Sequence, residues 1–266
     1  MPIEPSIPLT PISQAEFGDI AYEVTGYAYR IHKQLGRVFD ESVYRRALAH
    51  LLGPRAIEEF PIRLSHAGFE TILYLDLLVD HACPFELKVA SELHDRHRGQ
   101  LIQYLMLTGL HHGKLINFGS ERVQDEFVNC RESTAHRRTF ETDRSRWPAP
   151  DSTARQFEDA VIGLLRDWGT GLDRSLYLQA LTHIFGGEET VCRQVQTTFE
   201  KIIIGLQRVN CVTVGVAFEL TCLKRNVDKY EQQLRLFLNN TSLNRLLWAN
   251  VVSGAVTLVA MEQENG

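Results

Sequence analysis

The stretch TILYLDLLVDHACPFELK, residues 71–88, decides the fold. TILYLDLLV and FELKVA (85–90) are short runs rich in apolar and β-branched residues, which are typical of strands. DHACP between them carries residue types that turn a chain. The stretch therefore predicts a β-hairpin.

The surroundings of this hairpin alternate between helical and strand patterns. Apolar residues recur at helical spacing in three stretches, residues 16–35, 40–52 and 92–110. Two more strand-like runs are residues 60–64, before the hairpin, and 113–119, after the last helix. This order predicts an α/β fold, with a mixed sheet flanked by helices.

The chain also resembles itself at an offset of 133 positions. GRVFDESVYRRALAHLLG (36–53) aligns without a gap with GTGLDRSLYLQALTHIFG (169–186). The same register later places Phe85-Glu86-Leu87 on Phe218-Glu219-Leu220. Shared helical periodicity would align apolar classes rather than residue identities, so the sequence predicts a tandem duplication. We expect domains at 1–130 and 154–266, joined by a linker at 131–153 that carries several Arg and Pro residues.

Composition limits the function. The formal net charge of −5 over 266 residues argues against a protein that coats nucleic acid by bulk electrostatics, so any nucleic-acid contact must be local. No apolar run approaches the roughly 20 residues of a membrane span, and the first residues lack the pattern of a signal peptide. We therefore expect a cytoplasmic protein without membrane contact. The five cysteines form no C-x-x-C pair and are expected to be free thiols.

The hairpin carries the most specific chemical pattern, D-x9-E-x-K. Glu86 and Lys88 are two apart on a strand and point to the same face, and the hairpin can bring Asp76 beside them. Two converging carboxylates repel each other unless a hard cation lies between them. A lysine beside that cation could orient or deprotonate a water, as metal-assisted phosphodiester hydrolysis requires. Alone the pattern is weak, because charged residues on strands more often form a solvated face.

Two further pairs support this site. Gln100 and Tyr104 are spaced i, i+4 on a helix and share a face. Glu41 and Tyr44, spaced i, i+3 on an earlier helix, offer a third carboxylate. The competing interpretation is that the tyrosines pack in the core and that Gln100 is a surface amide. A zinc site at His94-x-x-His97 or at His111-His112 is also conceivable, but it lacks a third and fourth ligand.

Taken together, residues from about 16 to 128 resemble the GxxExxY proteins, small nucleases of the PD-(D/E)xK restriction-endonuclease-like superfamily close to its RecB-like branch. The naming motif corresponds to LGRVFDESVYRRAL (35–48), where Val38 replaces a glycine but Glu41 and Tyr44 are kept. The strand pair corresponds to LDLLV and PFELK. The Q-x-x-x-Y, L-x-L-T-G-L and L-I-N-F-G elements follow in order at 100–119.

The resemblance implies roles for these residues. Asp76 and Glu86 would be Mg²⁺ ligands, with Mn²⁺ as a substitute, and Glu41 an additional ligand. Lys88 would activate or orient the attacking water, while Gln100 and Tyr104 would position the phosphate or the lysine. The implied function is a metal-dependent nuclease that hydrolyses phosphodiester bonds in nucleic acid, with DNA as the expected substrate. The alternative is a catalytically inactive module that binds nucleic acid or protein on a nuclease scaffold.

The second half does not keep this set. At the same offset Glu41, Asp76, Lys88 and Tyr104 become Arg174, Val209, Thr221 and Phe237, and only Glu219 and Gln233 are retained. One carboxylate cannot hold magnesium well. We therefore predict a restriction-endonuclease-like fold, tandem duplicated with a degenerate second copy. That copy would pack on the first as an intramolecular pseudo-dimer or hold one arm of a nucleic acid, and a homo-oligomer is a further expectation.

Overall fold

The computed structural model describes residues 2–148 and 151–263, and it divides the chain into two compact units. The first comprises the residues up to 65 and 71–134, and the second comprises residues 66–70 and those from 135 onward. Each unit contains one six-stranded mixed sheet with helices beside it. The predicted α/β class with a mixed sheet flanked by helices is confirmed.

The sheet of the first unit has the strand order β1-β2-β3-β4-β5-β6. β3 pairs antiparallel with β4, β4 parallel with β5, and β5 antiparallel with β6. The central strand β4 is buried along almost its whole length, including Glu86, although FELK alternates apolar and charged residues as a half-exposed strand would. The strands are β1 Ile3–Pro5, β2 Ala56–His66, β3 Phe69–Val79, β4 Cys83–Lys88, β5 His112–Asn117 and β6 Gln124–Asn129.

Three helices accompany this sheet: α1 Gln14–Leu35, α2 Glu41–Leu52 and α3 Asp95–Thr108. α1 begins at a capping box in which Ser13 and Glu16 satisfy each other's backbone N–H groups. It ends at Gly36, where φ is 74° and a side chain would be strained. The buried faces of α1 and α2 pack with β3, β4 and β5 in one hydrophobic core. This core fixes α2, and therefore Glu41 at its first turn, beside the central strand.

The second unit repeats the arrangement, with the strand order β7-β12-β11-β10-β9-β8. Its strands are β7 Glu141–Arg146, β8 Cys192–Phe199, β9 Ile202–Thr213, β10 Val216–Thr221, β11 Arg245–Val252 and β12 Ala255–Glu262. Its helices are α4 Thr134–Arg138, which begins at the boundary of the two units, α5 Ser152–Trp168, α6 Arg174–Ile184, α7 Glu188–Val191 and α8 Val227–Asn239. Apolar residues of α8 pack with the sheet in a core that includes Trp248.

Strand pairings in the two sheets keep the offset found in the sequence. Phe85 lies opposite Lys114 between β4 and β5, and Phe218 lies opposite Leu247 between β10 and β11. The antiparallel pairs β5–β6 and β11–β12 are in the same relative register as well. The sheets differ at their edges, because β1 is added beside β2 whereas β7 is added beside β12.

The segment predicted as a linker, 131–153, is more structured than a linker. It contains α4 and β7, and β7 pairs in parallel with β12. Arg137 of α4 is 1% exposed, and its guanidinium donates to the carbonyl oxygens of Trp168 and Thr170. Composition missed this because an Arg-rich stretch resembles a solvated one until its carbonyl partners are known. Residues 149 and 150 of the predicted linker lie outside the described residues.

Within residues 2–148 and 151–263, no helix combines the length and the apolar character needed to cross a membrane.

Candidate active site

The ammonium group of Lys88 lies among three carboxylates at one edge of β4. Its Nζ is 2.7 Å from Oε1 of Glu86, 3.7 Å from Oε2 of Glu41 and 3.9 Å from Oδ2 of Asp76. Glu86 is fully buried, and the side chains of Lys88 and Asp76 are only 14% and 13% exposed. The structure therefore brings together the four charged residues that the sequence predicted for one site.

Strand geometry explains this convergence. Glu86 and Lys88 project from the same face of β4 because side chains alternate along a strand. Leu77 lies opposite Phe85, so Asp76 comes next to Glu86 across the β3–β4 hairpin. Oδ2 of Asp76 accepts a hydrogen bond of 2.8 Å from the backbone N–H of Leu87, which fixes its carboxylate toward the site. Helix α2 adds Glu41 from the side.

Among the three acids of this cluster, Glu86 has the pKa that is raised furthest. Burial, together with the neighbouring Asp76 carboxylate, raises the pKa of Glu86 to about 8 in spite of Lys88. Its Oε2 is buried and, among the described residues, has no hydrogen-bond partner. Burial also raises the pKa values of Asp76 and Glu41. Three acidic side chains close together, one of them with a raised pKa and an unpartnered buried oxygen, form an environment that a hard cation would stabilise.

Lys88 stays protonated in this arrangement. Burial by itself lowers the pKa of Lys88, but the Glu86 carboxylate and the other two acids outweigh it and hold that pKa above its ordinary value. The described part of the chain contains no group of three or more His, Cys, Asp or Glu side chains already arranged around a metal position. At this site the ammonium of Lys88 itself occupies the space among the carboxylates.

Gln100 and Tyr104 lie on α3, the latter close enough to the site for its three carboxylates to act on its hydroxyl. Tyr104 donates a 2.7 Å hydrogen bond to the carbonyl oxygen of Tyr74 on β3, and Gln100 Nε2 lies 3.5 Å from the Tyr104 hydroxyl. Burial raises the pKa of Tyr104 to about 12. The hydroxyl is thus a neutral group that ties α3 to β3 just before Asp76. Its predicted contact with phosphate or Lys88 stays a prediction.

Tyr44 has a structural position. Its hydroxyl donates to the carbonyl oxygen of Gly36 at 2.8 Å and accepts from the N–H of Phe39 at 3.3 Å. Its ring is fully buried and stacks on Phe118, with centroids 4.4 Å apart. This contact fixes the α1–α2 loop and therefore the start of the helix that carries Glu41. The core-packing interpretation left open for this tyrosine describes it correctly.

Arg45 is a charged neighbour of the site that was not predicted from the sequence. It lies one helical turn after Glu41 and is 8% exposed. Its guanidinium is 2.9 Å from Glu59, 3.5 Å from Glu58 and 4.0 Å from Asp76. The i, i+4 spacing from Glu41 was the available signal, because it places both side chains on one face of α2.

The zinc alternative finds no support at His94 and His97. The backbone N–H of His94 donates to Nδ1 of His97 at 3.2 Å, and both residues belong to the capping arrangement that begins α3.

The corresponding place in the second unit is neutralised differently. Arg174, which aligns with Glu41 at the offset of 133, lies 2.6 Å from Oε1 of Glu219 and also donates to the carbonyl oxygen of Leu220. Thr221, at the position of Lys88, donates to Asn250 at 2.7 Å and accepts from Trp248 at 2.9 Å. Among the described residues at this place, one arginine and one glutamate balance each other, which leaves no surplus of negative charge for a metal ion.

The comparison with protein-family models agrees with this picture of the first unit. Residues 18–130 match the family model of the PD-(D/E)XK nuclease superfamily. Among solved structures, the crystal structure of SSO0001 is similar, with 18% identity and a TM-score of 0.29 over 42% of this chain and 68% of that chain. No curated protein matches the chain. The sequence match, the mixed sheet and the Asp76, Glu86 and Lys88 cluster support the superfamily resemblance of the first unit.

Proposed function

We propose that the first unit is a metal-dependent nuclease that hydrolyses phosphodiester bonds in nucleic acid, with DNA as its substrate. The observation that carries the proposal is Glu86, a fully buried carboxylate with an unpartnered oxygen beside Asp76 and Lys88. Such a cluster is costly for stability, and a site that uses it for chemistry explains its presence.

The residues fit a divalent cation held by Asp76 and Glu86, with Glu41 as the additional ligand. When bound, Mg²⁺ or Mn²⁺ would lower the pKa of a coordinated water and neutralise charge on the phosphate. Lys88, protonated here, is suited to orient that water and to stabilise the phosphate charge rather than to act as a base. The Arg45 guanidinium, 4.0 Å from Asp76, adds positive charge beside that carboxylate.

We further propose that the first unit belongs to the GxxExxY group and that the second unit is its degenerate copy. Two sets of hydrogen bonds from a side chain to backbone groups, here called clips, recur at the same offset of 133 and support duplication. Tyr177 donates to the carbonyl oxygen of Gly169 and accepts from Leu172, as Tyr44 does with Gly36 and Phe39. Asn250 exchanges hydrogen bonds with the backbone of Leu223, as Asn117 does with that of Ala90. Shared helix and strand periodicity does not account for such side-chain clips.

The test is cleavage of labelled single-stranded, double-stranded and branched DNA, and of RNA, in Mg²⁺, Mn²⁺ or EDTA. We expect metal-dependent cleavage that disappears in Lys88→Ala. Lys33→Ala, which changes an exposed lysine of α1, is the control and should keep full activity. Cleavage that persists in EDTA, or in purified Lys88→Ala, would contradict the assignment.

The second candidate function is a binding module without catalysis. The Arg174–Glu219 pair favours it for the second unit, because a self-neutralised site no longer needs a metal ion. If no substrate is cleaved although wild type and Lys88→Ala are both folded, this function extends to the whole chain. The pseudo-dimer stays a prediction; a segment of residues 1–140 that is folded and fully active would refute its packing role.

A homo-oligomer also stays a prediction. Strand β9 exposes apolar side chains, with Ile202 67%, Ile204 64% and Leu206 64% exposed. Sedimentation of the full chain at several concentrations would test self-association through this strand.

A further inference from the structure

The second unit keeps an open cavity where the first unit has its cluster of acids. A cavity of about 620 Å³ lies between β9, β10 and α8, a size typical of small-molecule sites. Four of its lining residues, Val209, Glu219, Gln233 and Phe237, are the counterparts of Asp76, Glu86, Gln100 and Tyr104. A degenerate site relieved of all function would be expected to fill this space with side chains, whereas here it stays accessible.

The residues of the cavity differ in chemistry from those aligned with them in the first unit. Val209 removes one acid, and Arg174 neutralises Glu219 at 2.6 Å. Phe237 replaces the hydroxyl of a tyrosine with an unsubstituted ring. Among the described lining residues the one acid, Glu219, is thus paired with an arginine, so a dication is not favoured there and an anionic strand is not repelled.

The walls combine flat aromatic surfaces with amides. Phe237 and Tyr230 are partly buried against the core, and the ring of Tyr230 is 5.8 Å from that of Trp248, which restricts its movement. Gln207 and Gln233 are exposed and carry amide groups with both donors and acceptors. Arg208 also borders the cavity, but its guanidinium is paired with Glu188. Aromatic faces for stacking and amides for a hydrogen-bonding edge are what recognition of an unpaired base requires.

We propose that this cavity of the second unit binds one unpaired nucleobase of a nucleic acid, stacked on Phe237. The inference rests on the proposed function insofar as the ligand is nucleic acid, but it needs neither a metal ion nor cleavage. It gives the degenerate unit a role in choosing substrates with single-stranded segments. Duplex DNA, whose bases are stacked within the helix, does not offer the ligand.

The test measures binding of the full chain to a fluorescein-labelled 12-nucleotide single strand and to its duplex, by anisotropy in EDTA. We expect Phe237→Ala to weaken single-strand binding between about 5-fold and about 150-fold, the equivalent of one stacked base, and to leave duplex binding unchanged. The matched control is Leu236→Ala, which removes a 56% exposed neighbour that does not line the cavity. Equal single-strand affinity of Phe237→Ala and wild type would overturn the proposal.

A second variant guards against an effect of misfolding. Val209→Phe adds a ring to the cavity instead of removing one, and should also weaken single-strand binding. A strand with a single 2-aminopurine should change its fluorescence on binding wild type, because the base leaves its stacked neighbours in the strand for the ring of Phe237, but not on binding Val209→Phe. A fluorescence change that survives in both Phe237→Ala and Val209→Phe would contradict binding of the base in the cavity. Displacement of the labelled strand by unlabelled peptides would assign the cavity to a protein partner instead. If Lys88→Ala cleaved nucleic acid as well as wild type does, the proposed nuclease function would be wrong. The binding results of this test would not change.

Discussion

Glu86 and Glu219 occupy the same position on the central strands β4 and β10, yet their surroundings differ. Glu86 is fully buried among acids, with Lys88 as its nearest cation. Glu219 is 22% exposed and paired with one arginine. Two similar backbone arrangements thus carry one site with unfavourable electrostatics and one site whose charges are paired. Strain that persists in only one of two equivalent places points to function there rather than to a requirement of the fold.

The largest difference between the units should appear in catalysis. Glu86→Gln removes a proposed ligand and should reduce the cleavage rate by about 10²-fold or more, comparable with losing a group that stabilises transition-state charge. Glu219→Gln makes the same chemical change in the second unit and should leave the rate within about twofold. Initial rates on one labelled DNA substrate measure both. Equal losses in the two variants would break the comparison.

Removal of Arg45 should affect stability next. Arg45→Met leaves Glu58, Glu59 and Asp76 without their shared cation, and breaking a buried ion pair costs about 3 kcal/mol. The partly exposed Glu58 and Glu59 make this an upper value. Urea unfolding in EDTA measures the loss, and Mn²⁺ should recover part of it if the carboxylates hold the ion. Arg46→Met, on the exposed face of the same helix, is the control.

The pH dependence of stability should also separate the units. The pKa of Glu86 is raised from an unfolded value near 4.5 to about 8, so the folded state binds a proton more tightly than the unfolded state does. Without metal, the protein should therefore lose stability as the pH rises from about 5 to about 8. Glu86→Gln should flatten this profile and Glu219→Gln should not. Thermal unfolding in EDTA across this range provides the measurement, and a wild-type profile that rises with pH would contradict the account.

The smallest expected effect concerns the two tyrosine clips. Tyr44→Phe and Tyr177→Phe each delete one hydroxyl that makes two hydrogen bonds to backbone groups. Each should lower the free energy of unfolding by about 1–3 kcal/mol, and by similar amounts. Tyr44→Phe should keep cleavage activity because its hydroxyl serves the loop. Chemical denaturation and the cleavage assay together check this; a catalytic loss larger than tenfold in folded Tyr44→Phe would give the hydroxyl a role in chemistry.

The sequence predicted the parts of the fold that depend on periodicity and missed those that depend on partners. Helix α1 and the β3–β4 hairpin follow from apolar spacing and turn residues, so they could be foreseen. The short edge strand β1 and strand β7 acquire their structure from neighbouring strands, and nothing in their own composition indicates it. The same reason explains the predicted linker, whose Arg137 is buried by carbonyl groups more than thirty positions later.

For the site, the charged residues were easier to predict than their roles. The convergence of Asp76, Glu86 and Lys88 follows from strand alternation and hairpin register, and both can be inferred from the order of residues in the sequence. The hydrogen bonds of Tyr44 and Tyr104 end on backbone carbonyl groups, which every residue has, so the sequence does not reveal them. Arg45 was overlooked because an arginine within a helix usually faces solvent.

Calorimetric titration of Mn²⁺ into the full chain tests most directly the claim that only the first unit has a site competent for a metal ion. Wild type and Glu219→Gln should bind the ion alike at the first unit, and Asp76→Ala and Glu86→Gln should lose that binding while staying folded. Metal binding that survives in both first-unit variants, or that is lost in Glu219→Gln, would contradict the account.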